Sequence, residues 1–138
     1  MTLSKIIQGT VNDSHYIRNK LIEYNSKCVP NGRYEEIILC LKNPVGEIIA
    51  GLNSVICWNW MEIDNLWVHE EYREQGYGKK LLAEAERISR DKNCSFIKLN
   101  TFSFQAPEFY KKYGYQIIAT IENAPKDYKH YYFKKELK

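Results

Sequence analysis

A strand that leads into a glycine-rich loop and then an amphipathic helix constrains the fold of this chain more than any other feature. The strand is predicted at Met61–His69, the loop contains Gly76 and Gly78, and the helix continues to Ile88. Two glycines at a helix start let the backbone approach a ligand closely, and the first-turn N–H groups have no partner inside the helix. Those donors and the positive end of the helix dipole favour a phosphate group. The sequence therefore predicts a site for a phosphate-bearing ligand.

Two common phosphate-binding loops do not fit the spacing of these glycines. A P-loop needs G-x-x-x-x-G-K-[ST], which the chain lacks. A dinucleotide fingerprint needs a small third residue, but Leu81 stands at that place. The remaining pattern is R-x-x-G-x-G over Arg73–Gly78, followed by Lys79 and Lys80. This pattern leaves room for a pyrophosphate across the first turn of the helix.

The size and charge of the chain limit what else it can be. At 138 residues it is long enough for a core, so we predict one domain over residues 1–138. Its net charge of +3 is too small to indicate nucleic-acid binding, and aromatic residues interleave the lysines from Lys126 to Lys138. The chain has no signal-like leader and no run of 18 apolar residues, so we expect no membrane partner and a cytoplasmic location.

The cysteines and histidines predict no metal site. There is no CxxC pair and no metal-binding spacing to a histidine among the cysteines, which are Cys28, Cys40, Cys57 and Cys94. In a chain of this size they are expected to be core thiols. We therefore expect a protein without a bound metal.

Hydrophobic periodicity and turn residues predict the element order β-α-β-β-β-α-β-α-β-β. The first strand is predicted at Ser4–Gln8, and the first helix has its N-cap at Asn12, Asp13 or Ser14. The later strands are predicted at Glu36–Leu41, Glu47–Trp58, Met61–His69, Ser95–Thr101, Tyr115–Ile121 and His130–Lys135, with a short helix from Pro107 that ends at Gly114. This order predicts an α/β (α+β) fold with a single mixed, mostly antiparallel sheet flanked by helices.

Two segments of the chain together resemble the GNAT superfamily of acetyl-CoA-dependent N-acetyltransferases. The first is Leu66–Leu82, which contains R-x-x-G-x-G, and the second is Phe104–Tyr115, with a predicted strand between them. The resemblance covers nearly the whole chain and implies the GNAT acyl-CoA N-acyltransferase fold. It also implies transfer of an acetyl group from acetyl-CoA to a primary amine of a small molecule or peptide. Since neither segment contains a cysteine, we expect direct attack in a ternary complex without an acyl-enzyme.

The resemblance also implies which residues bind the coenzyme. In that family the pyrophosphate rests on the R-x-x-G-x-G loop, which here comprises Arg73, Glu74, Gln75, Gly76, Tyr77, Gly78 and Lys79. In that family a bulge splays the strand before the loop from its neighbour, and the pantetheine arm fills the gap, which here lies at Leu66, Trp67 and Val68. The Val68 N–H is the implied donor to the oxyanion. Many members have Asn where this chain has Ser103, so the side-chain contact to the arm is expected to differ here.

The catalytic assignments combine the resemblance with the demands of the chemistry. Tyr110 matches the family tyrosine that protonates the departing sulfur, and with a pKa of about 10 it stays protonated at neutral pH. Glu62 is the expected base or water relay, because the histone-acetyltransferase branch carries a glutamate six residues before the position of Val68. If β-pairing is regular, Glu62, Asp64 and Leu66 share one strand face.

Asp64 is expected to attract a cationic acceptor, and Tyr34 and His130 are further candidates for acceptor contacts. The expected partners are therefore acetyl-CoA and an amine, without nucleic acid or membrane. A non-catalytic coenzyme A-binding sensor or scaffold is an alternative, because it needs Gly76 and Gly78 but neither Tyr110 nor Glu62. Nucleic-acid binding through the C-terminal lysines is a weaker one. Many relatives dimerise, and the sequence leaves open whether this chain forms a homodimer.

Overall fold

The pairing of the strands determines where the sheet of this protein opens. The computed structural model describes residues 5–138, and within them six strands form one mixed sheet in the order β1-β2-β3-β4-β6-β5. The strands are β1 (Tyr34–Lys42), β2 (Ile48–Cys57), β3 (Trp60–Val68), β4 (Phe96–Phe102), β5 (Gln116–Glu122) and β6 (Lys129–Glu136). Neighbours are antiparallel except for the parallel pair β3–β4. The predicted mixed, mostly antiparallel sheet is confirmed.

The α-helices are α1 (Val11–Cys28), α2 (Tyr77–Asp91) and α3 (Pro107–Lys112), and a short 3-10 turn spans Glu70–Tyr72. The chain divides into two units, one up to Gly32 and the other from Arg33 to Lys138. One domain over residues 1–138 therefore stays a prediction. Among residues 5–138, no helix is both long enough and apolar enough to cross a membrane.

The prediction for the N-terminal segment was wrong in two respects. Residues 5–8 form no strand, and Ser4 lies outside the described residues. The N-cap of α1 is Thr10, before the three predicted positions. The Thr10 hydroxyl accepts a hydrogen bond from the Asp13 N–H at 3.3 Å, and the Asp13 carboxylate accepts one from the Thr10 N–H at 2.8 Å. This reciprocal pair satisfies two donors of the helix start.

The core of the larger unit lies between the sheet and α2. Leu81, Leu82 and Ala85 of α2 are almost fully buried, as the amphipathic pattern of that helix requires. They pack with buried strand residues that include Leu52, Ile56, Met61, Ile63, Ile97, Leu99 and Phe133. Burial of each such side chain stabilises the fold by about 1.5–3 kcal/mol. The helix that bears the glycine loop is therefore anchored to the central strands.

The cysteines are distributed differently from the prediction. Cys94 is buried in the core, Cys57 is half-buried, and Cys28 and Cys40 are exposed. The prediction of core thiols is therefore correct for Cys94 and wrong for the two exposed residues.

A bulge in β3 interrupts its pairing with β2. Asn65 pairs with Asn53 and Ile63 pairs with Ser54, so Asp64 is the extra residue. An extra residue on one strand bends that strand and increases its local twist. β3 therefore changes direction at Asp64.

The bulge also reverses which side chains of β3 face the core. Met61 and Ile63 before it are buried, and Leu66 after it packs against the same core cluster. Since a one-residue shift moves every following side chain to the other face, Leu66 does not share the face of Glu62. The prediction that Glu62, Asp64 and Leu66 share one face is wrong for Leu66.

β3 and β4 pair only along their first halves. The parallel register runs from Trp60 opposite Phe96 to Ile63 opposite Leu99 and then stops. β3 continues to Val68 and β4 continues to Phe102 without further pairing to each other. The two strands therefore part just after the bulge, and this gap positions the candidate site.

Candidate active site

A cavity of about 1020 Å³ lies where β3 and β4 part. Its walls come from the second half of β3, the glycine loop with the start of α2, the end of β4, and α3. The lining residues are 63–68, 72–74, 76–79, 99–101, 104–106, Phe109, Tyr110, Lys112 and Tyr113. The structure thus brings both predicted motif segments to one cavity. Most of the predicted coenzyme-binding residues line it, namely Leu66, Trp67, Val68, Arg73, Glu74, Gly76, Tyr77, Gly78, Lys79 and Tyr110.

The glycine loop presents a row of unpaired backbone donors to this cavity. Gly76 is the N-cap of α2 with φ of +85°, a left-handed conformation that glycine adopts without steric cost. The first bond of the helix runs from the Lys80 N–H to the Gly76 carbonyl at 3.0 Å. Within residues 5–138, the N–H groups of residues 75–79 have no hydrogen-bond acceptor. Such a row of amides at a helix start is suited to an anion.

Gly78 lets α2 approach the other walls of the cavity. A Cβ at this position would lie 3.4 Å from the Phe109 ring and 3.8 Å from the Val68 side chain. A single methyl group would just fit, whereas a branched side chain would push Phe109 out of place. The sequence pattern identified this glycine but not its two neighbours.

Cationic side chains surround the glycine loop. The Arg73 Nε donates to the Val68 carbonyl at 3.0 Å, which ties the loop to the end of β3. Lys79 lies over the Tyr113 ring at 5.9 Å, and neither Arg73 nor Lys79 has an ion-pair partner in the described part of the chain. These unpaired charges add to the attraction of the helix dipole for a diphosphate.

The backbone N–H of Val68 points toward the gap between the strands. The next amide along the chain, that of His69, donates to the Ile49 carbonyl beside β2 at 2.7 Å. Successive N–H groups of a strand point to opposite edges, so the Val68 N–H is directed away from β2. β4 no longer pairs with β3 at this level. The donor is therefore available to a ligand in the gap.

Tyr110 reaches the cavity from α3. Its ring packs against those of Phe109 at 5.2 Å, Phe133 at 5.8 Å and Tyr115 at 5.9 Å between centroids. Burial raises the pKa of Tyr110 to about 12, because a phenolate would be poorly solvated there. The hydroxyl therefore keeps its proton throughout the neutral range and can act as a donor.

The two predicted acidic residues have different environments. The Glu62 carboxylate pairs with Lys98 of β4 at 3.1 Å and is not among the cavity-lining residues. Asp64 lines the cavity and has no ion-pair partner within residues 5–138. Partial desolvation, followed by the charge of Glu62, raises the pKa of Asp64 above its usual range. The structure therefore brings Asp64, and not Glu62, to the cavity wall.

Four other predicted residues do not line the cavity. Gln75 lies within the glycine loop, and its side chain donates to the Glu71 carbonyl. Ser103 exchanges two hydrogen bonds with the Lys129 backbone at 2.9 Å, which joins the end of β4 to the start of β6. Tyr34 begins β1 opposite Cys57 and is largely exposed. The remaining residue is His130, whose ring stacks on Phe102 at 4.4 Å and whose Nε2 is buried without a partner within residues 5–138.

The turn after β4 also contributes to the cavity, although no sequence pattern predicted its role. The Gln105 side-chain oxygen accepts from the Thr101 hydroxyl at 2.8 Å and from the Phe102 N–H at 2.9 Å. This turn directs Phe104 into the cavity wall. Phe104 lies inside the second motif segment, but nothing in the pattern distinguished its ring from a core aromatic. Among residues 5–138, no cluster of three or more His, Cys, Asp or Glu side chains could hold a metal.

Comparison with known proteins identifies the family. A profile of the acetyltransferase (GNAT) family matches residues 10–115. Blasticidin-S acetyltransferase of Streptomyces morookaense is 38% identical over 81 residues, which are 58% of this chain and 60% of that protein. A crystal structure of an acetyltransferase from Bacillus cereus ATCC 14579 is 40% identical, with a TM-score of 0.91 over 96% of this chain and 97% of that one. The chain therefore belongs to the GNAT family of acetyltransferases.

A third relative has been solved with a ligand. It is assigned as a streptothricin acetyltransferase of Bacillus anthracis str. Ames and is in complex with acetyl coenzyme A. It is 25% identical to this chain, with a TM-score of 0.66 over 75% of this chain and 64% of that one.

Proposed function

We propose that this chain is an acetyl-CoA-dependent N-acetyltransferase that acts on a primary amine of a small molecule or peptide. The observation that carries the proposal is that unpaired helix amides, a strand N–H and a protonated tyrosine meet at one cavity. The relatives support it by their names, since Blasticidin-S acetyltransferase is among them and another is in complex with acetyl coenzyme A.

The residues of the cavity fit the parts of acetyl-CoA. The amides of residues 75–79 would hold the diphosphate, with Arg73 and Lys79 beside it. The half of β3 that lacks a partner on the β4 side would offer its backbone groups to the amides of the pantetheine arm. The thioester would then lie near both the Val68 N–H and Tyr110.

These residues supply what acetyl transfer to an amine needs. The amine nitrogen attacks the thioester carbon, a C–N bond forms and the C–S bond breaks. The Val68 N–H stabilises the negative charge that develops on the carbonyl oxygen. Tyr110 donates to the departing sulfur. On going from ammonium to amide the nitrogen loses two protons, of which the thiolate takes one and the solvent receives the other.

Deprotonation of the ammonium is the step that needs a base. Free alkylamines resemble lysine, whose pKa is about 10, so little neutral amine is present at pH 7. We propose that Asp64 binds the ammonium and that Glu62 takes its proton through Asp64 or a water molecule. The position of Asp64 in the cavity wall, with Glu62 two residues before it on β3, supports this division of roles.

The test is a thiol-release assay with acetyl-CoA and a broad panel of amines, together with calorimetric titration of CoA. Turnover of at least one amine with tight CoA binding is expected. The absence of both turnover and CoA binding would contradict the proposal. CoA binding without turnover on any amine would favour a non-catalytic coenzyme A-binding module.

A further inference from the structure

The two faces of the sheet present different groups at the gap between β3 and β4. Ile63, Leu99 and Phe133 are neighbours across three strands and face the core under α2. Asp64 and Asn100 come next along the two strands and are exposed, whereas Ile63 and Leu99 are buried, so Asp64 and Asn100 point to the opposite face. Tyr110 contacts Phe133 and so reaches the gap from the core side. An amine held at Asp64 would thus approach the thioester from the face opposite to Tyr110.

A column of five aromatic rings extends over that opposite face, and we name it the aromatic column. Its members, with the distance between successive centroids, are Tyr132, His130 at 4.7 Å, Phe102 at 4.4 Å, Phe104 at 5.4 Å and Tyr128 at 5.0 Å. The rings of Phe102 and Phe104 are nearly parallel, with an angle of 1° between their planes. These distances are typical of favourable aromatic pairs.

Packing alone explains the inner part of the aromatic column but not its outer end. Tyr132, His130 and Phe102 are half-buried, whereas Phe104 is 53% exposed and Tyr128 is 47% exposed. Phe104 also lines the cavity, as Asp64 does. An exposed ring backed by a parallel stack is a rigid surface on which another planar group can pack without ordering further side chains.

The carboxylates of the cavity lining are Asp64 and Glu74, and Glu74 belongs to the glycine loop beside Arg73. Glu62 is paired with Lys98, while Asp64 has no ion-pair partner within residues 5–138. The cavity lining away from the glycine loop therefore offers the carboxylate of Asp64 and the exposed ring of Phe104.

We propose that the acceptors of this enzyme are cationic amines that carry a planar ring, with the ammonium at Asp64 and the ring against Phe104 at the outer end of the aromatic column. This inference rests on the proposed function and narrows its substrate class. It assigns Phe104 and Tyr128 as residues that determine acceptor specificity.

The test compares two amines of equal charge and similar size. 2-Phenylethylamine has a planar ring, and 2-cyclohexylethylamine has a puckered one. Their dissociation constants for the CoA-loaded enzyme are measured by NMR titration. The planar amine is expected to bind about 3- to 10-fold more tightly. Phe104→Leu should remove this preference and Tyr128→Leu should reduce it. Asp64→Asn should weaken both amines alike, by about 10-fold or more.

Trp58→Leu is the matched control, because Trp58 is an exposed ring in the β2–β3 turn, at the other end of β3 from the gap. It should leave the preference unchanged. Equal binding of the two amines, binding of neither, or a preference that survives Phe104→Leu would overturn the inference. Turnover of the whole amine panel is measured in parallel. A planar preference without turnover of any amine supports the ring subsite and contradicts the proposed function. Turnover without a planar preference supports the proposed function and contradicts the ring subsite.

Discussion

Tyr110 is the residue whose removal should separate chemistry from binding. Tyr110→Phe keeps the ring that packs on Phe109 and Phe133 and removes only the hydroxyl. We expect kcat to fall by about 10²- to 10⁴-fold, as for loss of a general acid. The dissociation constant of CoA should stay near that of the wild type.

The control for this variant is Tyr131→Phe, which removes a hydroxyl from a half-buried ring outside the cavity lining. It should leave kcat unchanged. Since the pKa of Tyr110 is about 12, its ionisation should cause no loss of rate below roughly pH 11. An unchanged kcat for Tyr110→Phe in steady-state assays would show that another group protonates the sulfur.

Asp64 is expected to cost the protein stability at neutral pH. Its pKa is raised in the folded state above the ordinary 3.8, so folding favours the protonated carboxyl. The stability it contributes is therefore present below the unfolded pKa and is lost as the pH rises through the folded pKa. Asp64→Asn should unfold at a higher temperature than the wild type at pH 7, and the difference should narrow toward pH 4. A lower melting temperature at pH 7, with an exposed Asp127→Asn control unchanged, would show that the Asp64 charge is stabilised instead.

At the scale of elements, the glycine loop offers a matched pair of substitutions. Gly76 and Gly46 both have positive φ, +85° and +89°, and open space where a Cβ would stand. Alanine at either position should lower the free energy of unfolding by about 1 kcal/mol, because a Cβ strains the left-handed conformation. Gly76 precedes the unpaired amides of α2, whereas Gly46 lies in the β1–β2 turn. Only Gly76→Ala should therefore also weaken CoA binding by calorimetry, and an equal effect of Gly46→Ala would argue against a diphosphate at this loop.

A buried polar network joins α2, the end of α3 and β6. Glu86 accepts from the Tyr115 hydroxyl at 3.0 Å and from Lys135 at 2.9 Å, and Lys135 also donates to the Tyr113 carbonyl at 2.8 Å. Lys135→Met leaves the 9% exposed Glu86 with only a distant cation, Arg90, at 3.9 Å. We expect Lys135→Met to lower the free energy of unfolding, measured by urea denaturation, by about 3 kcal/mol.

The double variant Glu86→Leu with Lys135→Met tests the cause of that loss. It removes both charges, so part of the lost stability should return. If the double variant is less stable than Lys135→Met alone, the hydrogen bond from Tyr115 matters more than the unpaired charge.

Across the whole molecule, the parts predictable from the sequence are those that local patterns determine. Local sequence alone predicts three features, without any information about tertiary contacts. They are the alternation along the strands, the turn at Asn43–Gly46 and the start of α2 at the glycines. The resemblance implied a bulge in this strand near Leu66–Val68, but its position at Asp64 does not follow from the local pattern, because a bulge is a mismatch between the registers of β2 and β3. The pairing of Glu62 with Lys98 was missed for the same reason, since the residues are far apart in sequence and meet only through the β3–β4 ladder.

Ligand binding should stabilise the whole protein through the cavity. The lining residues come from β3, α2, β4 and α3, so a bound ligand contacts all four elements. It also bridges β3 and β4 where their pairing has stopped. At a concentration about 100 times its dissociation constant, CoA should add about 2.7 kcal/mol to the free energy of unfolding. Thermal unfolding of the full chain measures this as a rise in melting temperature. Pantetheine lacks the diphosphate, so at equal concentration it should raise the melting temperature much less. Added salt should reduce the rise caused by CoA but not the rise caused by pantetheine. Equal rises in melting temperature for the two compounds would mean that the amides of residues 75–79 do not hold the diphosphate, which would contradict the proposed coenzyme site.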